Sequence, residues 1–153
     1  VFQTEILDED TELTGQVTVK LWISSTAIDT DFTAKLIDVY PPNEGYPDGY
    51  RMNLSDTILR CRYRNSWTEP ELIVPGQIYP ITITLHATSN LFKTGHRIRL
   101  DISSSNFPRL DINPNTGEPM GRHTHKVIAH NTVHLDSTRP SHLILPVIPR
   151  RSE

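Results

Sequence analysis

Apolar and polar residues alternate along much of the chain, in short segments separated by prolines and glycines. The clearest segment is 17–23, in which Val17, Val19, Leu21 and Ile23 alternate with mostly polar neighbours. Successive side chains of a β-strand point to opposite faces, so this pattern predicts a strand with one buried face. Similar segments occur at residues 2–7, 32–40, 58–64, 79–85, 98–102, 126–135 and 142–148.

A sustained helical period is absent from the sequence. Only residues 89–94 suggest one turn of helix, ended by Gly95. About eight short strands with turn signals between them predict an all-β fold, either a sandwich or a barrel. A jelly-roll β-sandwich fits this number of strands better than an immunoglobulin domain does. The chain also lacks the Cys–Trp–Cys pattern of immunoglobulin domains, since Cys61 is its one cysteine.

Length and composition predict one globular domain over residues 1–149, followed by a polar tail at 150–153. Hydrophobic residues make up 36% and charged residues 22% of the 153 positions, which excludes a disordered chain. The formal charge of −3 argues against nucleic-acid binding. No apolar run approaches the ~20 residues that cross a bilayer, so no membrane association is expected. Because a strand-like segment follows Val1 directly, we expect a domain excised from a longer protein.

Three loops are predicted at residues 41–50, 67–76 and 106–122. The last is long, and long loops in compact domains are often functional or interfacial. Nearby, Arg60, Arg62 and Arg64 alternate with apolar residues, as do Arg97 and Arg99. This arginine face is either a solvated outer surface or a surface between domains, where arginine is favoured. The candidate interdomain surface therefore comprises Arg60, Arg62, Arg64, Arg97, Arg99, Asn106, Phe107, Arg109 and Asn113.

Catalytic and metal-binding patterns are weak. No glycine precedes a serine in a G-x-S-x-G nucleophile elbow, and Ser103, Ser104 and Ser105 are interpreted as a polar strand end.

Four histidines, His123, His125, His130 and His134, could contribute to a metal site, but no nearby cysteine completes a structural zinc set. Acidic residues near the start of the chain, together with Asp29 and Asp31, could contact calcium, although their spacing matches no calcium loop. A solvated acidic surface is the other interpretation, and no cofactor is expected.

Four blocks of sequence resemble one known family. GHRIRLDISSSNFPRLDINPNTGE (95–118) is the most specific, and DTDFTAKLIDVYP (29–41), ILRCRYR (58–64) and NTVHLDSTRPSHLILPVIP (131–149) follow the same order as in the family. They resemble the C-terminal domain of X-Pro dipeptidyl-peptidases, cocaine esterase-type (CocE/NonD) hydrolases, α-amino-acid ester hydrolases and glutaryl acylases. Loop 41–50 is longer than is usual in that family.

The resemblance implies a jelly roll of the galactose-binding type, without catalytic residues of its own. It implies a parent serine hydrolase whose Ser–Asp–His triad lies upstream, in an α/β-hydrolase domain of the same polypeptide. That domain is the expected partner. The resemblance also implies contacts between subunits, and a cytoplasmic location is expected.

Two other hypotheses remain open at this point. A carbohydrate-binding module is suggested by Trp22, Trp67 and the tyrosines. A metal-dependent hydrolase would use the four histidines.

Overall fold

Ten strands and no α-helix make up the regular structure of residues 1–149, the part of the chain that this computed structural model describes. The strands are β1 (Phe2–Gln3), β2 (Thr11–Gly15), β3 (Thr18–Ser25), β4 (Asp31–Tyr40), β5 (Tyr50–Arg60), β6 (Tyr79–Thr84), β7 (Thr88–Phe92), β8 (Arg97–Ser103), β9 (Asn131–His134) and β10 (His142–Ile144). The predicted all-β class is confirmed, whereas the jelly-roll and galactose-binding details stay predictions. The predicted tail at 150–153 lies outside the described residues.

The strands form three antiparallel sheets. One has the order β1-β8-β4-β5, and a second has the order β10-β3-β6. Strand β9 also pairs with β3, next to β10 along the same edge. Strands β2 and β7 form a small third sheet.

The three sheets share one hydrophobic core. Val17, Val19, Leu21 and Ile23 are each at most 3% exposed, as their alternation predicts. They pack in the same cluster as Leu36 of the four-stranded sheet and Phe92 of the small sheet. Burial of apolar side chains is the main favourable contribution to folding. The apolar residues that alternate in the sequence are therefore the ones that form the core.

The predicted strand at 58–64 ends earlier than expected. Strand β5 stops at Arg60 and a 3₁₀ turn, Cys61–Tyr63, follows. Within that turn Arg62 is only 5% exposed, so the predicted arginine face does not continue through the turn. The reason is tertiary: the carboxylate of Asp29 accepts hydrogen bonds from the backbone N–H and Nε of Arg62 and draws the side chain inward.

The predicted helical turn at 89–94 is wrong. These residues belong largely to β7, which pairs with β2, a strand that the sequence pattern did not reveal. Phe92 of β7 and Leu13 of β2 are both fully buried, while their strand neighbours are more exposed. Pairing with β2, together with burial of Phe92 and Leu13, therefore outweighs the weak local helical tendency of this segment.

Some other predicted strands are shorter than expected. The segments at 2–7, 126–135 and 142–148 contain only β1, β9 and β10. The predicted loops at 41–50 and 106–122 hold no strand except Tyr50, the first residue of β5. No strand interrupts residues 104–130, which are called the long loop below. It lies beside the start of β4 and the end of β5, where the candidate site is found.

Candidate interdomain surface

An open cleft of about 750 Å³ lies between the end of β5, the turn after it and the long loop. The residues that line it include the charged side chains of Asp31, Arg60 and Arg62. Its rim carries large apolar side chains that face solvent, namely Trp67, Phe107, Ile112 and Met120. These four residues are called the apolar rim.

Two buried carboxylates lie beneath the cleft, each paired with an arginine. Asp29 is 0% and Asp31 is 1% exposed. Arg62 donates from Nε to Oδ2 of Asp29 at 2.8 Å, and Arg60 donates to both oxygens of Asp31 at 2.9 and 3.0 Å. The hydrogen bond with Asp31 raises the pKa of Arg60, against the opposing effect of burial. Charge pairing of this kind is what permits carboxylates to be buried.

Asn113 ties the long loop to both carboxylates. Its Nδ2 donates to Oδ2 of Asp29 at 2.9 Å and to Oδ1 of Asp31 at 2.7 Å. Its Oδ1 accepts a hydrogen bond from the backbone N–H of Asn115 at 2.9 Å. Arg62 adds another link by donating from Nη1 to the carbonyl oxygen of Glu118 at 3.0 Å.

A third carboxylate, Asp56 of β5, holds the beginning of the long loop. Asn106 donates from Nδ2 to Oδ2 of Asp56 at 2.8 Å, and Arg109 donates from Nη1 to Oδ1. The side chain of Asp56 is 5% exposed, whereas that of Arg109 is 61% exposed. Arg109 therefore binds a buried carboxylate while much of its own side chain stays exposed to solvent.

Gly117 packs the later part of the long loop against its surroundings. Its φ is +70°, and an added Cβ would lie 2.9 Å from Cδ1 of Ile28 and 3.2 Å from Leu72. Gly117→Ala should lower the free energy of unfolding, measured in urea, by about 1–2 kcal/mol through backbone strain. Crowding should add little, because the nearest atoms are the flexible ends of two exposed side chains. Gly76→Ala is the control for strain without crowding and should lose about as much, because Gly76 has a φ of +79° with nothing within 4 Å. Unchanged stability of both variants would contradict backbone strain.

The structure brings together six of the nine predicted surface residues. Arg60, Arg62 and Phe107 line the cleft. Asn113 binds the two carboxylates that these arginines pair with, and Asn106 and Arg109, which flank Phe107 in sequence, both bind Asp56. Arg64 instead packs over the ring of Tyr79 and donates to Oε1 of Glu71 at 2.6 Å. The predicted surface thus contains a real cluster together with residues that lie outside it.

The two arginines of β8 also lie outside the cleft. Arg97 donates to the carbonyl oxygen of Thr4 at 2.8 Å. Arg99 forms a two-pronged ion pair with Asp101, which raises the pKa of Arg99. The arginine face predicted from alternation is therefore not one surface.

The predicted surface does not include Ile112 and Met120, which line the cleft. The signal that could have found them is the presence of apolar residues within a polar loop.

The four histidines considered as metal ligands are either exposed or close to a hydrogen-bonding partner. His123, His125 and His130 are exposed, and Nε2 of His134 lies 3.0 Å from Oγ of Ser24. No three His, Cys, Asp or Glu side chains of residues 1–149 are grouped so that they could hold a metal ion.

Side chains elsewhere have ordinary structural partners. Asp10 binds Lys93 and Thr94, and the hydrogen bond from Lys93 is the main reason that its pKa is lowered to about 2. Burial raises the pKa of the Cys61 thiol to about 12, so it is not a reactive nucleophile. Ser103 and Ser105 accept hydrogen bonds from backbone N–H groups, as expected of a polar strand end.

Across the described residues, no helix has the length and apolar character needed to span a membrane.

Of the two tryptophans suggested for sugar binding, Trp22 is half-buried in β3 and Trp67 is exposed at the cleft. A carbohydrate-binding role stays a prediction, to be checked by titration with a panel of glycans.

Comparison with known proteins connects this domain to large hydrolases. The chain is 46% identical over 151 residues to cocaine esterase of Rhodococcus sp. (strain MB1 Bresler), an alignment that covers 97% of this chain and 25% of the esterase.

Two solved structures superimpose closely. An α-amino acid ester hydrolase matches 96% of this chain and 25% of its own, with 33% identity and a TM-score of 0.89. An aminopeptidase from a marine sediment archaeon, Thaumarchaeota archaeon, matches 97% of this chain and 25% of its own, with 32% identity and a TM-score of 0.90.

The chain thus spans about a quarter of the length of these relatives. The family model described as the X-Pro dipeptidyl-peptidase C-terminal non-catalytic domain matches residues 1–144. This chain therefore belongs to the family of X-Pro dipeptidyl-peptidase C-terminal non-catalytic domains.

Proposed function

We propose that the cleft and its apolar rim dock this domain onto the α/β-hydrolase domain of one longer polypeptide. In this role the domain stabilises the hydrolase domain and positions the loops that face it. The parent activity would be that of a hydrolase acting on esters or peptides, as the names of the relatives suggest. The serine hydrolase class is what the sequence resemblance implies.

The observation that carries the proposal is the exposure of the apolar rim. Trp67 is 78%, Phe107 is 66% and Met120 is 63% exposed, although all three are large apolar side chains around one cleft. Grouped exposed apolar residues with polar neighbours commonly mark interaction sites. Interfaces between domains bury roughly 600–1,500 Å², and aromatic and Met side chains are enriched at their centres.

Arg109 supports the same surface. One end of its guanidinium binds Asp56, its side chain is 61% exposed, and it follows Phe107 by two positions in the long loop. Arginine in this position can pair with a carboxylate of the partner domain through its remaining donors. By contrast, Arg60 and Arg62 are occupied by Asp31 and Asp29, so they support the surface mainly from beneath.

The test is the double substitution Trp67→Ser/Met120→Ser. The domain is produced separately and added to its hydrolase domain, and their affinity is measured by calorimetry. Truncation of residues at the centre of an interface costs about 2 kcal/mol or more, so we expect at least about tenfold weaker binding. The urea stability of the isolated variant should change little, since both side chains are exposed.

Tyr46→Ser is the matched control. Tyr46 is also an exposed aromatic residue, 53% accessible, but it lies in the loop that follows β4, whereas the cleft lies beside the start of β4. We expect this variant to bind like the parent. Unchanged affinity of the double variant, or an equal loss with Tyr46→Ser, would rule out the apolar rim as the docking surface.

A further inference from the structure

The long loop has no strand of its own, yet it is fastened to the sandwich at several buried points. We infer that Asn113 is a positioning residue: it is the central attachment of a latch that holds the long loop in the conformation that docks. The latch comprises Asp29, Asp31, Asp56 and Arg62 on the sandwich side, and Asn106, Arg109, Asn113 and the carbonyl group of Glu118 on the loop side. This inference rests on the proposed docking function of the apolar rim.

Fastening points and rim residues alternate along the loop. Phe107 lies between Asn106 and Arg109, which both bind Asp56. Ile112 directly precedes Asn113, and Met120 follows Glu118, whose carbonyl oxygen binds Arg62. Every apolar rim residue of the loop is therefore within two positions of a residue that bonds to the sandwich. We expect these bonds to restrict where the rim residues point.

The carboxylates of the latch are embedded in the sandwich rather than in the loop. Asp31 belongs to β4, Asp56 to β5, and Asp29 lies two residues before β4. A neutral amide is well suited to join them, because its two N–H groups can satisfy two carboxylates without adding charge. Asn113 uses both donors in this way, at 2.9 and 2.7 Å, and is itself only 5% exposed.

Loss of Asn113 should loosen the loop more than the sandwich. Asp29 would keep Arg62 and Asp31 would keep Arg60, so neither buried carboxylate would be left without its cation. The loop, in contrast, would lose its central attachment and has no strand pairing to replace it. Segments with few such attachments open locally at lower free energy than the core. A loop that is already ordered also loses less conformational entropy on docking.

Hydrogen exchange followed by mass spectrometry tests the latch in this chain. In Asn113→Ala, we expect amides of residues 106–122 to exchange at least about tenfold faster, whereas amides of β3, β4 and β8 change much less. Asn90→Ala is the matched control, because Asn90 also donates from Nδ2 to a buried carboxylate, Asp38, at 3.2 Å. It should leave exchange in residues 106–122 unchanged.

Docking to the hydrolase domain supplies the second readout. Asn113→Ala should weaken the affinity by about as large a factor as Trp67→Ser/Met120→Ser does, although the side chain of Asn113 is buried away from the partner. If the alanine variant is insoluble, Arg109→Ala should speed exchange near residues 106–112 instead. Unchanged exchange, equally faster exchange in loop and strands, or unchanged affinity would each overturn the latch.

The two proposals fail in different ways. If the Trp67→Ser/Met120→Ser variant binds weakly while Asn113→Ala neither opens the loop nor weakens docking, the docking surface stands and the latch is wrong. If the rim substitutions leave affinity unchanged, the docking surface itself is wrong, whatever the exchange data show.

Discussion

Replacing Arg62 with methionine should lower the free energy of unfolding by about 3–5 kcal/mol, the usual cost of removing one partner from a buried ion pair. Asp29 is 0% exposed and would keep only uncharged donors, the N–H of residue 62 and the amide of Asn113. Methionine keeps most of the aliphatic volume, so the loss would report charge and hydrogen bonding rather than a cavity. Urea denaturation followed by circular dichroism measures it.

Comparison with a double variant separates the effect of the unpaired carboxylate from general damage. In Asp29→Asn/Arg62→Met the buried carboxylate is also gone, so we expect at least about 1 kcal/mol of the loss to be recovered. A loss below about 1 kcal/mol in the single variant would show that Asp29 can be accommodated without its cation. The same result would argue against tertiary capture of Arg62 as the reason that β5 ends at Arg60.

Replacing Phe92 with alanine should also cost about 3–5 kcal/mol, through lost burial and the cavity left behind. Phe92 is fully buried in the common core and is the largest of the fully buried side chains. It belongs to the small β2–β7 sheet, where it pairs with Thr11. Thermal and urea unfolding would measure the loss.

Leu91→Ala is the matched control for this substitution. Leu91 is the preceding residue of the same strand but points to the other face and is 44% exposed. We expect a loss below about 1 kcal/mol for Leu91→Ala, since little burial is removed. If the two alanine variants were equally stable, β7 would not contribute a core strand, and the assignment of this segment as a strand would be in error.

Each loss would be a large fraction of the roughly 5–15 kcal/mol by which domains are usually stable. They also differ in kind. Phe92 contributes through apolar burial at the β2–β7 sheet, whereas Arg62 contributes through a polar cluster beneath the proposed docking surface. Variants at Arg62 should therefore impair docking and stability together, while variants at Phe92 should impair stability alone as long as the domain remains folded.

Much of the fold followed from local pattern. The alternation from Val17 to Ile23 predicted a strand and its buried face, and all four apolar side chains are in the core. The same holds for Ile81 and Ile83 in β6. Period-2 alternation is informative because the strand itself imposes it, whatever the partner strand is.

The candidate site was only partly predictable. Asn106, Phe107, Arg109 and Asn113 are predicted because they lie in a long loop, and the structure attaches this loop beside the cleft through Asn106, Arg109 and Asn113. Arg64, Arg97 and Arg99 were selected from alternation with apolar residues, and each has a separate local partner. Alternation shows which face of a strand a side chain is on, but not which neighbour it meets.

From the amino-acid sequence alone came the all-β class, the strands with regular alternation and the absence of a nucleophile elbow, because each depends on residues close together along the chain. Only the tertiary structure decided that Arg62 turns inward and that Asn113 joins two carboxylates. Those contacts link residues 33 and more than 80 positions apart. Their geometry arises only when the sheets have packed, since burial is what makes an unpaired carboxylate costly and an arginine or amide partner necessary.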